Sequence, residues 1–373
     1  IYGSGATGGI INIITKKGTE EGLSFESKVG VTSGDNFKND ALAYEAYQSV
    51  AFNQGDWNGF LGAGYTKRGE IQDSHGHRIG PEIAQTDRQD TETVDVNGRL
   101  GWQLTDKQKL SLGAQYYNDE QDSDYGADYG KLSGYNAANL LFPTVVKPSL
   151  KAVSGLKLNT QPKTERYAVN VQYENQDLLG QKLNTEAFYR KEKGRWFPTV
   201  SPLGHGTLNY GLAQLYPNYA NPYSPDFLKA VRLGYAVLQS ETEIDVWGVR
   251  TALQKDFKIS DRNIGLIYGL DYENETDKAS ARRFNFDNFY ASNGLDFTPE
   301  KIYQFGPDTE IKKLGTFLQG HYEISDQINV QAGIRHERID SKVSDSIPYR
   351  ESIPADILTN DLKYPYTAKK LKK

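Results

Sequence analysis

"TVDVNGRLGWQL", residues 93–104, alternates without interruption. Val94, Val96, Gly98, Leu100, Trp102 and Leu104 share one side, and Thr93, Asp95, Asn97, Arg99, Gly101 and Gln103 share the other. A period of two is the signature of a β-strand with one apolar and one polar face. The stretch is long enough to cross a bilayer when tilted. The tight turn Thr105-Asp106-Lys107-Gln108 follows. Beyond it Leu110, Leu112, Ala114 and Tyr116 alternate with Lys109, Ser111, Gly113 and Gln115. Together the two runs predict a hairpin.

The same pattern extends in both directions. Leu23, Phe25, Val29 and Val31 form one apolar row, and Tyr167, Val169, Val171 and Tyr173 another. Ile264, Leu266, Tyr268 and Leu270 make a third. Leu314, Leu318, Tyr322 and Ile324 run into Ser325-Asp326-Gln327, from which Ile328, Val330, Ala332 and Ile334 emerge. Roughly eleven strands of about ten to fourteen residues are expected, longer than the usual strand of a globular domain. Their connections alternate as well. Short turns are predicted near 53–56, 105–108, 176–181, 257–261 and 325–327. Long polar segments are predicted near 69–91, 119–163, 197–241 and 274–310, with a modest one at 33–41. An up-and-down meander with one plain rim and one elaborate rim is the layout of an outer-membrane barrel. A β-sandwich has shorter strands and no such alternation of connections. It would also place Arg99, Lys109, Arg335 and Glu337 in a dry core, where unpaired charge is costly.

Composition agrees. Mean hydropathy is -0.65, and no run approaches the ~20 apolar residues of a membrane helix. An alternating barrel strand averages out as polar, so this excludes only helical spans. With 0 Cys, neither a disulfide framework nor a thiolate metal site can form. The net charge of -5, with both signs interspersed, gives no basic footprint for nucleic acid. The chain begins at Ile1 and contains 0 Met, so further residues are expected before it.

The opening "IYGSGATGGIINIITKKG", residues 1–18, contains G-x-G-x-x-G at Gly3, Gly5 and Gly8. A dinucleotide fingerprint needs a strand before it and a helix after it. Here the β-branched run Ile10 to Thr15 follows instead, which reads as a strand. The stretch resembles the end of the plug domain of TonB-dependent outer-membrane siderophore receptors. Tyr2, Gly3, Gly8, Gly9, Ile11, Asn12, Ile13 and Thr15 stand where that pattern wants them. The resemblance implies that residues 1–20 end an N-terminal plug. Residues 21–373 would then be the first half of a transmembrane antiparallel β-barrel, of the 22-stranded kind with a filled lumen. The segment near Lys363-Tyr364-Pro365 lacks a terminal aromatic strand, and truncation at both ends is expected.

Further stretches are similar to the ferric aerobactin receptor subgroup of that family. They are "SDYGADYGKLSGY" (123–135), "EAFYRKEKGRWFPTV" (186–200) and "IKKLGTFLQGHYEISDQINVQAGIRHERIDSK" (311–342). This resemblance implies active uptake of an anionic citrate-hydroxamate ferric siderophore. An inner-membrane TonB-type partner would energise it. Iron would enter only as cargo, with no intrinsic cofactor or metal site, and no catalytic residues are expected. The implied setting is the bacterial outer membrane, with lipid and lipopolysaccharide around a monomer. Other cargo, such as another hydroxamate or catecholate, haem or cobalamin, and a passive porin are the alternatives.

Arg and Lys can meet an anionic ligand, while Tyr, Trp and Phe supply rigid contact area. The candidate ligand contacts are Tyr125, Tyr129 and Lys131; Arg195 and Trp196; and Arg282, Arg283 and Phe284, all placed in long loops or at strand ends. For the aromatic members, anchoring at the membrane interface is the competing role. The plug candidates are Gly3, Gly8, Gly9 and Asn12. His75-Gly76-His77 lacks an evident third ligand and reads as a surface loop. The run Asp119 to Asp124 reads as a solvated face. His205 is the one candidate for haem.

Overall fold

Eleven long strands follow one another in a computed structural model that describes residues 21–34, 37, 41–83, 89–132, 149–202, 235–259, 262–325, 327–345 and 371–372. They are β1 (Gly22–Ser33), β2 (Leu42–Gln54), β3 (Trp57–Arg68), β4 (Thr91–Thr105), β5 (Gln108–Gln121), β8 (Lys163–Asn175), β9 (Lys182–Arg195), β11 (Tyr235–Ile259), β12 (Arg262–Phe284), β14 (Thr309–Ser325) and β15 (Ile328–Val343). Each pairs antiparallel with the next in sequence, so the sheet is a meander with no crossovers. Five short elements decorate it: β6 (Tyr125–Ala127), β7 (Ala152–Ser154), β10 (Thr199–Pro202), β13 (Pro299–Gln304) and β16 (Leu371–Lys372). The sheet is open: among the described residues β1 lies at one end of the strand order, with only β2 as partner. The plug motif at Gly3, Gly8, Gly9 and Asn12 lies outside the described residues, as does His205.

The five predicted short turns all fall where one long strand ends and the next begins, with residues 260–261 and 326 outside the described residues. That between β2 and β3 is Gly55-Asp56, with Gly55 at φ 57°, a left-handed conformation that glycine adopts without a Cβ clash. At the same rim Lys107 of the β4–β5 turn pairs with Asp177 of the β8–β9 turn. That lysine holds the Asp177 carboxyl below the usual carboxylate range.

The opposite rim differs from expectation in one respect. β11 has 25 residues and β12 has 23, although about 9–11 suffice to cross a bilayer. Their upper halves lack the apolar alternation, yet they stay zipped from Val237↔Phe284 to Ile259↔Arg262. Backbone pairing, not side-chain pattern, sets the strand length here. The segment expected as a loop over 274–310 therefore starts only after Phe284, and Arg282, Arg283 and Phe284 lie on a strand. Likewise Asp119 and Glu120 belong to β5. Asp119 approaches Arg68 at 3.5 Å and Glu120 approaches Lys163 at 3.4 Å, so the acidic run is a paired strand end and not simply a solvated face.

The two faces separate as the alternation requires. Leu61, Leu100, Leu112, Val169, Val171, Leu270, Leu318 and Ile334 stand exposed on the apolar face. Aromatic residues bracket this band. Trp57 and Trp102 are register partners and stack with centroids 5.0 Å apart near the short-turn rim. Tyr116 meets Tyr167 at 5.0 Å and Trp247 meets Tyr272 at 5.3 Å nearer the other rim. From Trp57 to Tyr65 the chain rises eight residues, about 26 Å of strand, the height of an outer-membrane apolar band once tilt is allowed for. No helix among the described residues is long and apolar enough to span a membrane.

The polar face carries charge in partnered form. The Arg335 guanidinium forks onto Asp271 at 2.7 and 2.8 Å and reaches Glu337 at 3.1 Å. Lys313 bonds Glu273 at 3.1 Å and Glu275 at 3.0 Å, and Arg99 bonds Gln172 at 3.1 Å. Gly315 makes room for the first of these, because a Cβ there would fall on the Arg335 guanidinium. A charged inner wall suits a wide, wet or filled lumen, not a dry sandwich core.

Candidate functional site at the long-loop rim

Nearly all of the buried apolar side chains lie away from the membrane band. Tyr129, Leu132, Leu156, Leu158, Phe197, Val200, Val237, Phe284, Phe289 and Phe297 form one cluster contributed by three loop regions, and Ile83 of the β3–β4 loop packs against it. Burying large aromatic rings makes these segments a folded platform, since each ring removes 150–250 Å2 from water. Phe297 is the hub: it meets Phe284 at 5.4 Å, Phe289 at 5.5 Å and Phe197 at 6.0 Å. A short helix, α1 (Phe286–Ala291), supplies Phe289, and its N-cap Asn285 accepts from the Asn288 amide at 2.9 Å. Gly294, at φ 89°, lies against the Tyr129 ring, where no side chain could fit.

Polar contacts then tie the loops to one another. Gln239, 1% exposed, donates to the carbonyls of Thr160 at 2.7 Å and Trp196 at 2.9 Å, and its Oε1 accepts from the Thr160 hydroxyl at 2.7 Å. The Lys157 amide donates to Leu295 O at 2.8 Å and the Phe297 amide returns to Lys157 O at 3.0 Å. The β3–β4 loop joins through Gly80, whose amide donates to Leu150 O at 2.9 Å. Arg78 is the ionic centre of that loop. It bonds Glu70 at 3.1 Å, pairs with Asp90, and lies 3.9 Å above the Tyr125 ring. At the loop tip Asp73 accepts the amides of His75 at 2.8 Å and His77 at 2.9 Å, and these hydrogen bonds hold its carboxyl below the usual range. No group of three or more metal-ligating side chains is poised for a metal among the described residues.

Against this geometry the candidate ligand contacts divide. Tyr129 and Phe284 are 3% and 1% exposed and belong to the platform core. Tyr125 is capped by Arg78. Arg195 is spoken for, its Nε donating to Gln161 O at 2.8 Å with Glu241 at 3.7 Å and Glu120 at 3.9 Å. Arg283 lies 3.1 Å from Glu300. Lys131 is exposed and Arg282 half-buried. Trp196 has a different setting, as one wall of a cavity of ≈ 250 Å3 shared with Leu238, Ala279 and Phe305. The pattern reading missed Leu238, Ala279 and Phe305, because nothing marks a strand residue that lines a cavity from one that packs in a core. Gln239 and Arg78 were missed too, and their only sequence signal is a polar residue in a segment that folds around it.

Comparison with known proteins follows the same lines. Residues 117–362 match the family model described as TonB dependent receptor-like, beta-barrel. The chain is 30% identical over 354 residues to the rhizobactin receptor of Rhizobium meliloti (strain 1021), covering 93% of this chain and 42% of that protein. It is 29% identical over 355 residues to the ferric aerobactin receptor of Klebsiella pneumoniae, covering 94% and 43%. The chain thus spans less than half the length of these relatives. Among solved structures, the unliganded ferric citrate transporter FecA superposes with a TM-score of 0.59 at 14% identity, covering 92% of this chain and 41% of that one. The closed form of the ferric-catecholate import receptor Fiu from E. coli gives 0.58 at 12% identity, covering 98% and 48%. At such identities the superpositions speak for the fold alone.

Proposed function

Because the chain belongs to the TonB-dependent receptor β-barrel family, we propose that it is part of an outer-membrane receptor that takes up a ferric siderophore. The cargo is an anionic citrate-hydroxamate of the aerobactin type, captured at the long-loop rim and released to the periplasm with energy from a TonB-type inner-membrane partner. Iron is cargo, and no step requires catalysis by the protein. Residues 1–20 are the end of a plug, with Gly3, Gly8, Gly9 and Asn12 in its final turn and strand, and residues 21–373 are barrel. The receptor works as a monomer, and its outward aromatic residues sit among lipid and lipopolysaccharide.

The observation that carries this reading is the match of 93–94% of the chain to two receptors named for rhizobactin and ferric aerobactin. The rim supports it. A platform pre-ordered by packing and by Gln239 loses little entropy when a ligand docks. Trp196, Lys131 and Arg282 remain accessible for contact and Arg283 stands beside them paired with Glu300, while Tyr129 and Phe284 shape the platform and Tyr125 and Arg195 brace it.

Titration of the full-length receptor with ferric aerobactin, a neutral ferric hydroxamate and a ferric catecholate tests the cargo. Ferric aerobactin is expected to bind most tightly. Binding of either alternative without binding of ferric aerobactin assigns the receptor to another cargo.

A further inference from the structure

We propose that the cavity beside Trp196 is a subsite for an uncharged polymethylene arm of the siderophore. This deepens the cargo reading above and rests on it. The volume, ≈ 250 Å3, is below the 300–1,000 Å3 of pockets that enclose a whole small-molecule ligand. It therefore takes a part of the ligand and leaves the iron centre outside. Its wall chemistry says which part. Trp196, Leu238, Ala279 and Phe305 present apolar surface, the rim carries hydroxyl groups, and Glu241, the one charged residue in the lining, is engaged by Arg195 at 3.7 Å. A lining of apolar and hydroxyl groups with no cationic side chain in it offers the anionic iron-binding head no partner and suits a neutral chain. Phe305 stands 53% exposed at the mouth, an apolar ring in water that an arriving chain would cover.

Register supplies the matching charge. Leu238 is the backbone partner of Arg283, and Ala279, Ala281 and Arg283 alternate onto the same side of β12. A guanidinium thus sits next to the apolar slot, held by Glu300 at 3.1 Å. Adjacent cationic and apolar subsites fit a ligand that has an anionic head and an aliphatic arm. They do not fit a ligand that is charged throughout.

The test uses the full-length receptor and a series of ferric citrate-hydroxamates whose polymethylene arms lengthen one carbon at a time. Affinity is expected to rise about fourfold per added methylene, the ~0.8 kcal/mol of a buried CH2, and to level off once the cavity is full. Ala279→Phe, which fills the cavity, and Phe305→Ala, which removes an exposed wall without disturbing the core, are both expected to flatten that dependence. The shortest-armed member should still bind both variants as it binds the native receptor. An affinity independent of arm length in the native receptor, or the same slope in the native receptor and both variants, overturns the subsite. Tighter binding of arms ending in an aromatic ring than of any polymethylene arm also overturns it. If no member of the series binds at all, the cargo reading has failed and not the subsite alone.

Discussion

Arg283 shares its side of β12 with Ala281 and Ala279, while Arg282 alternates to the other side, opposite Gln239 of β11. Neighbouring cations therefore face different surroundings, which a run of letters does not reveal. If the anionic head docks on the cavity side, the two should separate on substitution. Arg283→Ala is expected to weaken ferric aerobactin binding by about tenfold or more, since truncating one partner of a desolvated charge contact costs roughly 2–5 kcal/mol. Arg282→Ala should stay within about twofold of native, as substitutions outside a contact usually do. Equilibrium titration of both single variants decides between them. Equal losses would place the ligand across both sides of the strand end.

At the scale of elements, Val96 and Asn97 sit one residue apart on β4 and on opposite faces. Spin labels at the two positions in the full-length receptor in bilayers should differ sharply: a lipid-soluble quencher reaches 96 and not 97. Equal access would remove the assignment of the apolar face to lipid. The strands of the membrane band were legible in the sequence because one face meets hydrocarbon and the other an aqueous or filled lumen, so every second residue is constrained. Trp57 to Tyr65 and Val94 to Trp102 show this most plainly. The upper parts of β11 and β12 were not legible, since both faces there are polar or packed and the backbone ladder alone holds them. For the same reason Arg282, Arg283 and Phe284 read as loop. Trp196 could be picked out as a candidate from its basic and aromatic neighbours. Its cavity could not, because Leu238, Ala279 and Phe305 come from three separate segments that only the register brings together.

For the molecule as a whole, the sheet and the platform have different supports. The sheet rests on its backbone ladder and on inner-wall pairs such as Arg335 with Asp271. The platform rests on aromatic packing and on a few buried polar bonds. Gln239→Ala should therefore act selectively. It leaves the Thr160 hydroxyl and the Thr160 and Trp196 carbonyls without their partner, a loss of about 1–3 kcal/mol. Limited proteolysis of the full-length receptor is expected to cut within 149–162 or 285–308 faster than in the native protein. The heat-modifiable gel mobility of the barrel should not change. Unchanged protection of both segments would mean that packing around Phe297 suffices without the amide.

The bonds that Gln239 makes also bear on how such a mouth changes over generations. Thr160 belongs to the β5–β8 connection, while Trp196 opens the β9–β11 connection and Gln239 stands on β11, the strand that closes it. Recombination that imports any one of these segments from a relative brings donors and acceptors shaped for absent neighbours. The segments are thus expected to change together, and the expected exchangeable unit is the whole platform with the upper ends of β11 and β12. New cargo preference within a lineage would arise first by point changes at positions outside the shared bonds, with Ala279 and Phe305 among the least encumbered.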